Sequence, residues 1–331
     1  MMSIIIKERC GGKVMNIQKS KVVIVGAGNV GVSTAFCLIN QGLCDEIVLI
    51  DVNQEKAFGE VLDLSQSMEY MNRNTSVKLG TYEDCHDASI VIITASVPVH
   101  NAGNDRLKML EPTKKVMKAI INQIMSSGFD GHIIVVSNPV DLMTYYAYKI
   151  SGLPAKQVIG SGTTLDTARL KYFIAQKIDV DPRSVHALVI GEHGDSEMIP
   201  WSTVRIGGKD IYSVVRDNET RIGKDPYDEM HKETIQAGWE IFNRKGNTCY
   251  GIASSTVGIV KTILHNENRI LPVSTLLHGE YGQENLYISV PTIIDRSGAR
   301  EIVELNMTDE EMKEFHKSCE HLKSFYDCLE D

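Results

Sequence analysis

The sequence predicts an α/β chain in two parts, an N-terminal doubly wound parallel sheet followed by a C-terminal α+β lobe. Three observations predict it. The strand candidates of the front half are continuous apolar runs, as in a sheet covered on both faces. Helical patterns separate these runs, which implies parallel strands joined by right-handed crossovers. The back half mixes short strands, one of them alternating, with long amphipathic helices.

Residues 1–20 (MMSIIIKERCGGKVMNIQKS) hold one apolar patch, Ile4–Ile6, too short for a signal-peptide core or a membrane span. A second methionine, Met15, precedes the first strong strand, so residues 1–14 are expected to be an irregular arm or an artefact of the start codon. Lys21–Val25 (KVVIV) is a buried strand ended by glycine, and Val30–Gln41 a buried helix closed by Gly42. Glu46–Ile50, Ile90–Thr94 and His132–Ser137 continue the sheet. The boundary between the halves is placed near residue 160, giving a first domain over 21–160 and a second over 161–331. In the second, Ser184–Ile190 and the stretch around Thr203–Ile206 are strands, and Asp228–Asn243 is a long helix. Leu286–Val290 alternates like a strand with one wet face, and Glu301–Leu305 is its partner. Thr308 and Glu311 form a capping box that opens a last helix through Leu329.

Composition limits the function. Of 331 residues, 43% are hydrophobic and 23% charged, ordinary for a soluble globular protein with a large core. A net charge of −9 argues against nucleic acid or an acidic membrane as the main partner. Seven cysteines, with no CxxC pair and no metal-type Cys/His spacing, point to free thiols in a reducing cytosol and to no metal. Cys37, in an apolar run, is expected to be a small core residue.

The first strand leads into Gly26-Ala27-Gly28-Asn29-Val30-Gly31, a GxGxxG with a strand before it and a helix after it. That is the context of a Rossmann dinucleotide site. Gly26 permits the tight turn, Gly28 lets backbone amides approach a pyrophosphate, and Gly31 lets the helix pack against the strand. Asp51 ends the next strand, placed to accept hydrogen bonds from an adenosine ribose and to repel a 2′-phosphate. Val52-Asn53-Gln54 supplies no arginine to relieve that repulsion, so NAD is favoured over NADP.

A second constellation follows an apolar strand: Gly191-Glu192-His193-Gly194-Asp195-Ser196. A histidine between glycines at a strand end is either a structural residue or a proton donor working near pH 7, as ketone reduction by hydride requires. Asp166 and Arg169, in Thr164-Leu165-Asp166-Thr167-Ala168-Arg169, share a helix face. They form a plain surface pair, or else the carboxylate holds the imidazole and the guanidinium clamps a substrate carboxylate.

GAGNVG, SNPVD (Ser137–Asp141), GSGTTLDTAR (Gly160–Arg169) and GEHGDS occur in this order and at the spacing of the lactate/malate dehydrogenase superfamily. From about Lys21 to the final helix the chain resembles that superfamily, and within it the bacterial L-lactate dehydrogenases. The resemblance implies NAD-dependent hydride transfer between NADH and a small 2-oxo acid, pyruvate to L-lactate first, in glycolysis or fermentation. A cytoplasmic homotetramer is implied with it. His193 resembles the proton donor and acceptor, Asp166 its carboxylate partner, and Arg169 the substrate-carboxylate clamp. Arg106 resembles a mobile-loop arginine that polarises the carbonyl, Asn138 a residue that positions substrate and nicotinamide, and Thr248 a pocket threonine. Cofactor contacts are implied at Gly26, Gly28, Val30, Gly31, Asp51, Lys56, Tyr82, Ser137, Asn138 and Ser161.

The chain departs from that family in Ala95–Gly103. Val97 replaces a glycine, Pro98 stiffens the segment, and His100 takes the specificity position where lactate dehydrogenases carry glutamine and malate dehydrogenases arginine. An imidazole is mostly neutral at pH 7 and cannot pair two-pronged with a second carboxylate, which disfavours malate. His100 either contacts substrate or faces solvent, and Val97 and Val99 leave a bulkier branched or aromatic 2-oxo acid as the alternative. Pro112 departs from the family's helical pattern. Lys171 and His186 stand where many bacterial relatives hold fructose 1,6-bisphosphate with an arginine and a histidine. A lysine lacks the two-pronged geometry, so weak activation or none is expected.

Overall fold

The computed structural model describes residues 20–97 and 106–330, and of residues 106–109 the backbone alone. The front half runs β1 (Lys21–Val25), α1 (Asn29–Gln41), β2 (Glu46–Ile50), α2 (Gln54–Gln66), β3 (Ser76–Leu79), β4 (Ile90–Ile93), α3 (Arg106–Ser126), β5 (His132–Val135), α4 (Val140–Ser151) and β6 (Val158–Gly160). The back half continues with α5 (Thr164–Ile178), β7 (Val185–His186), β8 (Arg205–Ile206), β9 (Lys209–Asp210), α6 (Ile211–Asp217) and α7 (Glu219–Ile222). It closes with α8 (Tyr227–Lys245), α9 (Tyr250–His265), β10 (Arg269–His278), β11 (Glu284–Asp295), β12 (Gly298–Ile302) and α10 (Asp309–Lys323).

One nine-stranded sheet has the order β12-β11-β10-β6-β5-β4-β1-β2-β3. From β3 to β6 every pairing is parallel, in the order of a doubly wound dinucleotide-binding sheet. β10 joins the β6 edge antiparallel through Ser274 and Gly160, and β11 and β12 extend it. The sheet therefore continues past the boundary expected at residue 160.

The continuous apolar strands of the front half are explained by burial on both faces. In β1, Val23 and Val25 enter one cluster with Leu110, Met117 and Ile121 of α3 and Phe315 of α10. Val22 and Ile24 enter another with Leu38 and Ile39 of α1 and Val260 of α9. A third cluster, around Leu170, Val189 and Ile211, holds the back half together. Each of these side chains is fully or nearly fully buried, and truncating one to alanine is worth ~2–5 kcal/mol.

Several elements differ from expectation. Thr94, Val136 and Ser137 lie beyond the strand ends, although the Val136 and Ser137 amides still donate to the Ile93 carbonyl. Ser184–Ile190 is not one strand. Its partner β8 has two residues before Gly207 and Gly208 turn the chain, so only Val185 and His186 pair with it. Farther on, the Val189 amide donates to Thr167 Oγ1 and the Ile190 amide to the Met198 carbonyl.

β11 has no wet face: Tyr287 and Ser289 are fully buried. Tyr287 donates its hydroxyl to the Ala155 and Val158 carbonyls, and Ser289 donates to Asp141. Its neighbour β12 starts and ends earlier than Glu301–Leu305. The Thr308–Glu311 capping box is present, but α10 stops at Lys323 and a 3-10 turn covers Tyr326–Leu329.

Pro112 sits inside α3 without ending it. The buried residues beyond it, Met117, Ile121 and Ile124, hold the helix to the core. Lys114 of α3 adds a tie, donating to the carbonyls of Cys328 and Glu330. Cys37 is half-buried against the core. The described cysteines are all free, and burial pushes the thiols of Cys44, Cys85 and Cys319 up to about 12. No described helix is long and apolar enough to cross a membrane.

Candidate active site

The loops after β1, β4, β5 and β6 meet at the carboxyl ends of the parallel strands, where β1 lies between β2 and β4. Such a switch point opens a crevice. Gly26 has φ 109°, and a Cβ there would stand 2.7 Å from the Ala95 nitrogen. A Cβ on Gly31 would lie 1.9 Å from the Gly26 carbonyl oxygen, so only glycine lets α1 start this close to β1. At Gly28 a Cβ would meet nothing within 4 Å. No side chain caps the start of α1, and its first turn has no acidic residue. The first amides of this helix thus face an open approach, the arrangement that suits a phosphate.

Asp51 holds the turn that shapes this cradle. Its Oδ2 accepts from the Ala27 amide at 2.7 Å and its Oδ1 from the Asn53 amide at 2.8 Å. Each oxygen keeps a second lone pair for a ribose hydroxyl. Lys56 donates to the Ala27 carbonyl at 3.1 Å, Val30 is half-buried in the first turn of α1, and Tyr82 is half-buried in a 3-10 turn. Ser137 is buried and donates to the Ala95 carbonyl at 2.5 Å, joining the loops after β4 and β5. Asn138 is exposed and precedes a cis proline, and Ser161 is buried just after β6. These residues fit a dinucleotide: an uncapped helix start, a glycine opening and a carboxylate beside it.

The second constellation assembles across the sheet end. Asp166, on the first turn of α5, is 1% exposed and shared between two cationic partners. Its Oδ2 lies 2.6 Å from His193 Nδ1, and its Oδ1 accepts from Arg169 Nη1 at 2.8 Å. Asp166 and Arg169 are therefore not a plain surface pair: they pair as i,i+3 neighbours in a buried position, and the carboxylate also holds the imidazole. Burial alone would pull His193 down, but the charge of Asp166 and the hydrogen bond to it push it up to about 9. The reverse holds for Asp166, where His193 and Arg169 outweigh burial and hold the carboxyl below its ordinary range. The imidazole side chain keeps 27% exposure, so its far edge stays accessible.

Residues to which the sequence analysis gave no role fix the histidine's loop. Asp141 of α4, 2% exposed, accepts the His193 amide at 2.8 Å. Ser318 of α10 accepts the Glu192 amide at 2.8 Å and stands beneath Gly191, whose φ is 95°. Glu197, 4% exposed, brings a carboxyl oxygen to within 4.8 Å of ligand-type atoms of Asp166 and His193. The available signal for Asp141 was its place at the end of the SNPVD motif.

α8 lies over α5. A Cβ on Gly238 would sit 3.3 Å from Arg169 Nη2, and one on Gly251 of α9 would sit 2.8 Å from Leu165 Cδ1. Thr248, half-buried, lies in the turn between α8 and α9. Arg106 is the first residue of α3, and its side chain is outside the described residues, as is the whole of His100. Val97 is half-buried. Lys171 is held below the usual lysine range by burial and by Arg269, while His186 is exposed on β7.

A dinucleotide cradle, an oriented histidine and a guanidinium are the parts that a pyridine-nucleotide dehydrogenase requires. The lactate/malate dehydrogenase NAD binding domain matches residues 20–160, and the lactate/malate dehydrogenase alpha/beta C-terminal domain matches residues 163–331. The chain belongs to the lactate/malate dehydrogenase family. It is 47% identical over 315 residues to an L-lactate dehydrogenase of Lactococcus lactis subsp. cremoris, covering 95% of this chain and 100% of that protein. It is 46% identical over 305 residues to L-lactate dehydrogenase 3 of Bacillus thuringiensis subsp. konkukian, covering 92% and 96%. The crystal structure of the minor L-lactate dehydrogenase from Enterococcus mundtii in its ligands-bound form superposes with a TM-score of 0.91 at 48% identity, covering 95% of this chain and 99% of that one.

Proposed function

We propose that this chain is an NAD-dependent L-lactate dehydrogenase that reduces pyruvate to L-lactate, and that His193 is its proton donor. The observation that carries the reading is the row Arg169–Asp166–His193, two hydrogen bonds through one buried carboxylate. Bound NADH supplies the hydride for the carbonyl carbon. Asp166 holds Nδ1, which leaves Nε2 to face the carbonyl oxygen and give it a proton. Arg169 receives the substrate carboxylate, and its pairing with Asp166 keeps the guanidinium in place. Arg106 polarises the carbonyl, Asn138 orients substrate and nicotinamide, and Thr248 and His100 border the substrate side chain. Gly26, Gly28, Val30 and Gly31 cradle the pyrophosphate with Lys56 behind them, while Asp51 and Tyr82 border the adenosine and Ser137 and Ser161 the nicotinamide end. The two domains meet near residue 160. Lys171 and His186 form at most a weak phosphate site.

Exposed apolar residues support a homo-oligomer, with a tetramer as the family-like form. Phe58 and Leu62 of α2 and Trp239 and Phe242 of α8 are all about half exposed. The free thiols support a cytoplasmic location.

The deciding test compares kcat/KM for pyruvate, 2-oxoisocaproate, phenylpyruvate and oxaloacetate by NADH oxidation at pH 7. Pyruvate is expected to lead by about tenfold or more, in the range that one or two methylenes of pocket contact discriminate. A bulkier acid in the lead would keep the hydride chemistry and replace the substrate.

The pH dependence follows from His193. Reduction needs its protonated form, which dominates below a value of about 9. The kcat/KM for pyruvate is therefore expected to hold level through neutrality and fall above that value, while lactate oxidation rises toward it. A reduction limb already falling near the unperturbed histidine value of about 6.5 would remove Asp166 as the group that stabilises the proton.

A further inference from the structure

The reaction leaves one buried acid without a task. Glu197 sits on the loop that carries His193, and its Oε1 is buried and takes no hydrogen bond from any described residue. The other charged groups of the neighbourhood are engaged. Asp141 of α4 holds the His193 amide, and Asp166 of α5 is divided between His193 and Arg169. Glu192 accepts from Ser196 and faces His321 of α10 at 3.6 Å. His231 of α8 meets the Glu197 carbonyl oxygen and not its carboxyl, and Asp195 has a partner. Among the described residues, none hydrogen-bonds Glu197 Oε1.

An ionised carboxyl buried without hydrogen bonds is unfavourable unless a cation stands beside it. Burial opposes that ionisation most, Asp166 and Glu192 repel it, and the net effect holds the Glu197 carboxyl well above the usual carboxylate range. The cations that favour it are the His193 imidazolium, named first, and the Arg169 guanidinium, which stays charged throughout; only the imidazolium gains or loses its proton in the reaction. A bound metal ion is the weaker candidate, because Arg169 already lies 2.8 Å from Asp166 Oδ1 and would repel it.

We propose that Glu197 is a positioning residue for the reacting proton: its ionisation stabilises the imidazolium of His193 and extends ketone reduction to higher pH. Two titrations then belong to the pair and not to either residue alone. At the acid end both carry a proton. As pH rises, Glu197 releases its proton to solvent, and the negative charge delays the same loss from His193. Asp166 sets the orientation of the ring, and Glu197 adds to its proton affinity without touching the substrate.

The inference rests on the reading of His193 as proton donor, and the test separates the two. The kcat/KM for pyruvate is measured from pH ~5.5 to ~10.5 for the wild type, Glu197→Gln and Glu197→Asp, with NADH affinity by fluorescence as the check on folding. Gln keeps the shape and removes the charge, and should move the alkaline midpoint down by about half a unit to one unit, the size of one partly screened neighbouring charge. Asp should recover part of that shift. A Gln profile that superimposes on the wild type, or is scaled equally at every pH, would overturn the proposal.

Should Glu197→Gln not bind NADH, the His193 ring resonances of the wild type decide by NMR. Two inflections with pH support the pair, and a single one refutes it. Absence of pyruvate turnover in the wild type would refute the dehydrogenase reading, and the NMR titration would still decide the role of Glu197.

Discussion

A His193→Asn variant is expected to lose kcat for pyruvate by ~10²–10⁴-fold or more while binding NADH almost as the wild type does. Asparagine can still hydrogen-bond toward Asp166 but has no proton to give at neutral pH. The cofactor cradle is built from α1, Asp51 and the loop after β4, and among the described residues none of these hydrogen-bonds to the histidine. Stopped-flow measurement of NADH oxidation, with fluorescence titration of the binary complex, separates the two effects. Turnover within a few-fold of the wild type would sink the assignment of His193 as donor.

Arg169→Lys is expected to raise the KM for pyruvate by ~10–100-fold, with a smaller fall in kcat. Lysine keeps the positive charge and loses the planar fork, and charge-assisted hydrogen bonds are worth about 1.5–3 kcal/mol each. The substitution also strips the Asp166 Oδ1 of its 2.8 Å partner. The His193 proton should then be held more tightly by an aspartate less well neutralised, moving the alkaline limb upward. Initial-rate kinetics over a wide pyruvate range give the answer, and an unchanged KM would count against the clamp.

What could be read from the sequence was what lies close together in it. The GxGxxG turn, the Asp51 that follows it and the Asp166–Arg169 pair each reside in one short segment. Their geometry follows from a strand end or a single helical turn. Of the groups brought together by the fold, the Asp166–His193 pair, 27 positions apart, was open to the sequence as one of two readings, and the contacts that fix the histidine's loop were not. The Asp141 contact to the His193 amide spans 52 positions, and the Ser318 contact to Glu192 spans 126. No local pattern distinguishes such a serine or aspartate from a solvated one. The wet face expected of β11 failed for the same reason. Tyr287 and Ser289 are polar in composition, but their hydroxyls find partners inside the protein, on carbonyls near β6 and on Asp141. Alternation of polarity reports exposure only when the polar atoms are satisfied by water.

The sheet that passes from β6 to β10 also bears on how such a chain can be recombined. The two edges meet at one registered pair, Gly160 and Ser274, and a Cβ on Gly160 would stand 2.7 Å from the Ser274 Cβ. A chimera spliced after residue 160 would therefore inherit a seam, with one parent supplying the glycine and the other the small residue facing it. Relatives that agree at both positions are interchangeable modules there. A parent with a larger side chain on either edge would pry the seam open beneath the crevice that holds the cofactor.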